Sequence, residues 1–139
     1  MPWSPLAGGF LTGKYARDDT AGAGRLSGPN PFGNSKFVDR NWDILDVVKA
    51  VAAELDRPAA QVALAWTLAR PGVASTLVGA SRVAQLESSI AATDIRLHPE
   101  QMQRLDAASA PAQGFTASLA QPFIRRMIFG GHEVVRWGE

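Results

Sequence analysis

The 139-residue sequence contains no cysteine. Disulfides, thiolate metal sites and a cysteine nucleophile are thereby excluded, and a cytoplasmic location is the expectation compatible with that composition. Histidine is scarce too. His98 and His132 lie far apart, without carboxylates at metal-ligand spacing, so no His-based metal site is expected. Tyrosine occurs once, at Tyr15. No uninterrupted apolar run approaches the roughly 18 residues that suggest a membrane span. Pro2 and Pro5 interrupt the start and no basic segment precedes an apolar one, so no secretory leader is expected. An excess of one charge is missing as well. Fourteen Lys and Arg against thirteen Asp and Glu leave a net +1, which gives no field favouring nucleic acid or an anionic membrane.

What is present points to one folded domain. Hydrophobic residues make up 46% and charged residues 19%, a balance that supports a core and argues against disorder. The chain opens MPWSPLAGGFLTGKY, which sets a Trp, a Ser-Pro turn, a Gly pair and a Gly-Lys-Tyr within fifteen residues. N-termini are ordinarily loose, whereas these are residues of a built site that needs scaffold on both sides. Residues 16–38 are rich in Gly, Pro, Asn, Asp and Ser and read as one long loop. Loops of that length serve as lids or binding loops, or are surface insertions.

Helices follow. In DRNWDILDVVKAVAAELDRP, Ile44, Val48, Val51 and Leu55 fall at helical spacing, with Asp39 or Asn41 as the cap and Pro58 beyond the end. A second helix starts near Pro58, apolar on most faces, and stops at Pro71-Gly72. STLVG, residues 75–79, reads as a buried strand. Gly79-Ala80-Ser81 then turns the chain into a third helix carrying Val83, Leu86 and Ile90. His98-Pro99-Glu100 opens a fourth, with Met102 and Leu105 inward. Four or five helices beside one complete strand form an imbalance, because a lone strand has nothing to pair with. The pieces suit a larger parallel sheet.

The turn at residues 79–82 has a chemistry of its own. The first turn of a helix carries unpaired N–H groups and the positive end of a dipole, which suit a phosphate. Gly79 permits close backbone approach, Ser81 offers a hydroxyl, and Arg82 offers a guanidinium to a phosphate dianion. An ordinary strand-turn-helix junction has the same residues.

Taken together, WSPLAGGFLTGKY, a long loop containing an Arg, a helix pair and then VGASRVAQLE resemble the aldo-keto reductase family. The likeness is greatest to the branch holding bacterial aldo-keto reductases and potassium-channel β subunits, and it covers essentially the whole chain. It implies an α/β fold, the C-terminal fragment of a (β/α)8 TIM barrel that is mostly helical as an isolated chain. The resemblance divides residues 1–139 into a strand-7 end and cofactor loop (1–38), a helix pair (39–71), strand 8 with a phosphate-binding helix (72–95), and a C-terminal helix and tail (96–139). Barrels of this kind frequently hold a phosphate after strands 7 and 8.

The resemblance also implies NADP(H) as cofactor. Trp3 matches the aromatic that stacks on the nicotinamide; a Trp filling an apolar corner is the plainer alternative. Ser4, Pro5 and Leu6 match the turn along the pyrophosphate, and Lys14 and Arg25 match cations near the phosphates and the adenosine, although each can equally be a solvated charge. Gly79, Ser81, Arg82, Gln85 and Ser89 fall in the group around the 2′-phosphate and adenine, and an Arg with a Ser there favours NADPH over NADH. The family usually places Glu and Asn side by side where this chain has Ser88 and Ser89. Serine is too short for the same contacts, so adenine recognition is expected to be weaker by about 1–2 kcal/mol per lost hydrogen bond, or water-mediated.

The family's catalytic Asp, Tyr, Lys and His come from the first half of the barrel. None matches a residue here, so no catalytic residue is assigned. The first reading is therefore the cofactor-binding portion of an oxidoreductase that moves hydride between NADPH and a small aldehyde or ketone. That reading places the carbonyl substrate in the full-length parent, with Met1 inside a longer frame. The second is a non-catalytic truncated nucleotide-binding module, one that docks on a complementing chain, or a relic. The tail, with Phe123, Ile124, Met127, Ile128, Phe129 and Trp137 among Arg125, Arg126 and Arg136, either borders a substrate pocket or packs outside the barrel.

Overall fold

The computed structural model describes residues 1–18, 26, 36–111, 126–127 and 130–131. The chain divides into a unit spanning Met1–Ser109 and a second spanning Ala110–Glu139. In the second, Gly130 and Gly131 take positive φ, and the Gly131 N–H bonds back to the Arg126 carbonyl at 2.6 Å, the hydrogen-bonding pattern of a helical turn closing.

The first unit is helical, with no strand among the described residues. A 3₁₀ run, Ala7–Thr12, is interrupted by Gly8 and Gly9, whose φ of 70° and 96° no ordinary side chain adopts easily. Helices α1 (Asp39–Glu54), α2 (Ala59–Leu68), α3 (Val83–Ala91) and α4 (Pro99–Ser109) follow, with a short 3₁₀ turn at Ala92–Asp94.

Helix α1 starts as the spacing predicts, but its cap differs. Val38 is the N-cap with extended backbone, and Asp39 lies in the first turn, where its charge meets the helix dipole. The Asn41 amide instead bonds the Lys36 carbonyl at 2.9 Å. The buried stripe is Trp42, Leu45, Val48, Val51 and Ala52, with Ile44 and Leu55 only half-buried. The stripe turns because an aromatic nest forms at its N-terminal end. Phe10 packs on Trp42 with centroids 4.7 Å apart, Phe37 stacks on Trp42 at 6.0 Å, and Tyr15 meets Phe37 edge-on at 5.4 Å.

Helix α2 is buried nearly all round, as its apolar composition demands, and it packs against α1 and against the turns beside it. Val62 and Ala63 join Val48, Val51, Ala52 and Leu105 of α4 in one apolar cluster. Polar ties close the rim. Trp66 Nε1 and Arg70 both donate to Asp106 Oδ1, at 2.7 and 2.6 Å, and the Arg70 guanidinium lies over the Trp66 ring. Glu54 accepts from Gln101 at 3.1 Å and from Arg104. Gln101 also reaches back to the His98 N–H at 3.0 Å, half of a capping box.

The stretch 75–79 departs from the expected buried strand. Ser75, Leu77, Val78 and Gly79 are exposed, and one backbone hydrogen bond, from Leu77 N–H to the Pro2 carbonyl at 3.3 Å, joins the stretch to the opening residues. A strand is defined by its ladder, and no further ladder partner lies beside it among the described residues. Trp3 likewise lies outside any strand, 74% exposed.

Candidate functional site

Gly72, at φ 82°, ends the turn after α2, and a run without regular secondary structure carries the chain to Ser81. Arg82 is the N-cap of α3, extended at φ −141° and ψ 145°, and its side chain makes no capping bond. Gln85, at the third helical position, reaches back past the N-cap instead. Its Oε1 accepts from the Ser81 backbone N–H at 3.0 Å and from the Ser81 hydroxyl at 3.1 Å. The turn is thereby closed from within, while Arg82 is exposed and forms no ion pair among the described residues. A Cβ placed on Gly79 would meet nothing within 4 Å, so the backbone there is open to close approach.

Ser81, Arg82 and Gln85 thus gather at one helix start, and the Leu77–Pro2 hydrogen bond sets Trp3 and Ser4 in the segment alongside. Ser89 sits one turn on, but its hydroxyl is turned inward to the Gln85 carbonyl at 2.8 Å. The opening turn is strained. Ser4 and Ala7 hold φ of 54° and 49°, and the Ala7 N–H closes on the Ser4 carbonyl at 2.9 Å across Pro5. Leu6 is half-buried and packs against the core. Lys14 is exposed with its Nζ 5.1 Å from the Tyr15 ring centroid, and no hydrogen bond or ion pair joins it to the α3 group among the described residues. Arg25 and His132 lie outside the described residues.

Two buried polar groups escaped the sequence reading. Gln61 on α2 donates from Nε2 to Ser88 Oγ on α3 at 3.2 Å, and Thr76 sits in the run between Gly72 and Ser81 with its hydroxyl buried and unpartnered among the described residues. The only signal for Gln61 was a polar residue inside AAQVALAWTL; its partner, 27 positions on, gives none. Tyr15 is 3% exposed with its hydroxyl engaged by the Leu26 N–H, so it lacks the access a proton donor needs. Among the described residues, no group of three or more His, Cys, Asp or Glu is placed to hold a metal, and no helix is long and apolar enough to cross a membrane.

Comparison with known proteins matches residues 1–110 to the aldo/keto reductase family model. An uncharacterized oxidoreductase of Mycobacterium bovis is 37% identical over 128 residues, 92% of this chain and 38% of that protein. A probable voltage-gated potassium channel subunit beta of Oryza sativa subsp. japonica is 35% identical over 109 residues, 76% of this chain and 33% of that protein. The versiconal hemiacetal acetate reductase of Aspergillus parasiticus is 28% identical over 111 residues, covering 80% of this chain and 32% of its own length. The chain thus spans about a third of the length of the curated relatives it matches.

Proposed function

Because the chain belongs to the aldo/keto reductase family, a family of NAD(P)H-using barrel oxidoreductases, we propose that it is the NADP(H)-binding portion of such an oxidoreductase. The observation that carries this reading is the α3 turn: Ser81 and Gln85 lock it in place, and Arg82 stands at its tip, exposed and without an ion-pair partner among the described residues. The chemistry of that donor set fits the group. A guanidinium, a serine hydroxyl and first-turn N–H groups suit a phosphate dianion, and the open face of Gly79 admits a sugar or phosphate close to the backbone.

In this proposal Arg82 pairs with the 2′-phosphate, Ser81 bonds it once a phosphate oxygen displaces Gln85, and Gln85 holds the turn when no ligand is present. Trp3, exposed beside the 75–79 run, offers an indole face to the nicotinamide ring. Ser4, Pro5 and Leu6 form the rigid turn between those two ends, and Lys14 and Arg25 add positive charge along the path. The cofactor, when bound, supplies the hydride that an aldehyde or ketone accepts. The residues of this chain bind and orient, and the proton donor comes from elsewhere in the complete barrel, since the chain's one tyrosine is buried.

That burial favours a second reading for the chain alone, a nucleotide-binding module without turnover. Fluorescence titration of the chain with NADPH and NADH tests the first proposal. Tighter binding of NADPH is expected; equal or reversed affinities would overturn the roles given to Ser81 and Arg82. Turnover of simple aldehydes by the purified chain, free of contaminating reductases, would remove the second reading.

A further inference from the structure

Gln61 is, with Thr67, one of two polar residues in α2, and it is only 6% exposed. Its amide is half-satisfied: Nε2 donates to Ser88 Oγ at 3.2 Å, and Oε1 is buried with no partner among the described residues. A leucine of similar size would fill the same space without an orphaned acceptor, so packing alone gives no account of the amide.

The helix it reaches is held by very little. Helix α3 has no fully buried residue; Val83 is 73% exposed and Ile90 58% exposed, and Ser88, Ser89 and Ala91 are its half-buried positions. Its apolar anchor is at the C-terminal end, where Ala92 is buried in the turn against α2; nearer the N-terminal turn, the Gln61–Ser88 hydrogen bond ties α3 to α2. Ser88 follows Gln85 by three residues, which places the two on neighbouring positions of the helix surface. Gln85 in turn holds Ser81 through two hydrogen bonds. One helix thus carries both Ser88, bonded to Gln61 in the core, and Gln85, bonded to Ser81 at the turn that presents Arg82.

We infer that Gln61 is a positioning residue for the nucleotide: acting through Ser88, it fixes the rotation of α3 and with it the aim of Ser81 and Arg82 at a phosphate monoester. The inference rests on the α3 turn being the 2′-phosphate site. It assigns to a buried α2 side chain a role in nucleotide affinity that its distance in sequence from the turn would not suggest.

Calorimetric titration of the full chain with 2′,5′-ADP, and with 5′-ADP as the control lacking the 2′-phosphate, provides the test. Gln61→Leu removes the link and the orphaned acceptor together, and Ser88→Ala removes the link from the half-buried side. Each variant should lose about five- to tenfold in affinity for 2′,5′-ADP and less than about twofold for 5′-ADP, with the Gln61→Leu melting temperature equal to or above that of the parent. The double variant should be no weaker than either single one, because both break the same contact. Unchanged 2′,5′-ADP affinity in Gln61→Leu, losses that multiply in the double variant, or losses that track a fall in melting temperature would each overturn the inference while leaving the site standing. Failure of the parent chain itself to bind 2′,5′-ADP would overturn both. Should Gln61→Leu fail to fold, Ser88→Ala alone decides by the same affinity ratio.

Discussion

The hydroxyl of Tyr15 lies 3.1 Å from the backbone nitrogen of Leu26 and accepts its hydrogen bond in a pocket lined by Phe10, Phe37 and Trp42. A phenol at that position works as a structural clasp. It ties residue 26 to the aromatic nest at the start of α1, eleven residues beyond the tyrosine itself. Substitution Tyr15→Phe keeps the ring and strands a buried N–H. Stability should fall by about 1–3 kcal/mol in urea unfolding. An unaltered midpoint would show that water replaces the phenol at no cost.

Acid should loosen the joints that α4 makes with α1 and α2. Hydrogen bonds from Arg70 and Trp66 hold the Asp106 carboxyl below its ordinary 3.8, and those from Arg104 and Gln101 hold Glu54 below its ordinary 4.5. A carboxylate whose folded pKa is depressed contributes stability that is complete above its unfolded value and is lost as pH falls through the folded one. Both joints are therefore intact at neutral pH and weaken below about pH 4. Both carboxylates are about two-fifths exposed, so the effect is small and screened by salt. Melting temperatures followed from pH 6 to pH 2.5 should fall less steeply for Asp106→Asn than for the parent. Parallel slopes would mean that other carboxylates dominate the acid limb.

Two glycines with similar backbone angles separate strain from crowding. Gly8 has φ 70°, and a Cβ there would lie 2.9 Å from Leu26 Cδ2; Gly72 has φ 82° with nothing within 4 Å. Gly72→Ala meets only the left-handed backbone penalty, about 1–2 kcal/mol. Gly8→Ala meets the same penalty and must also displace the buried Leu26 side chain, so it should be the more destabilising by roughly 1 kcal/mol or more. Equal losses in thermal unfolding would show that Leu26 yields freely.

These contrasts mark where the sequence was legible. The α1 start, the all-round burial of α2 and the Pro99 opening of α4 follow from spacing and punctuation, because a helix is stabilised by neighbours three and four residues away. Helical spacing gives the α1 stripe as Ile44, Val48, Val51 and Leu55, whereas Trp42 and Leu45 are more buried than Ile44 and Leu55. What turns it is Phe10 and Tyr15, about thirty residues upstream. The run at 75–79 has strand composition, but strand formation depends on a partner, and the opening residues supply one hydrogen bond. The α3 turn follows from its residue types and from family likeness, and the Gln85 clasp on Ser81 is local to it, whereas Gln61 meets Ser88 only through the packing of α2 on α3.

Arg82 carries the sharpest prediction about the proposed site. Its guanidinium is exposed at an N-cap whose side chain makes no capping bond, so replacing it disturbs neither core nor cap. Arg82→Ala should weaken NADPH binding about tenfold or more, the scale of one charge-assisted hydrogen-bonded contact of about 1.5–3 kcal/mol, and leave NADH within about twofold. Arg82→Lys should recover part of the loss, because an ammonium supplies the charge without the paired donors. Raising the salt concentration should reduce the parent's preference for NADPH and leave that of Arg82→Ala unmoved, since an exposed ion pair is screened over about 8–10 Å near physiological ionic strength. If Arg82→Ala binds both nucleotides as the parent does, selectivity at the 2′-position resides in other residues, and Ser81 with the α3 backbone becomes the next set to vary.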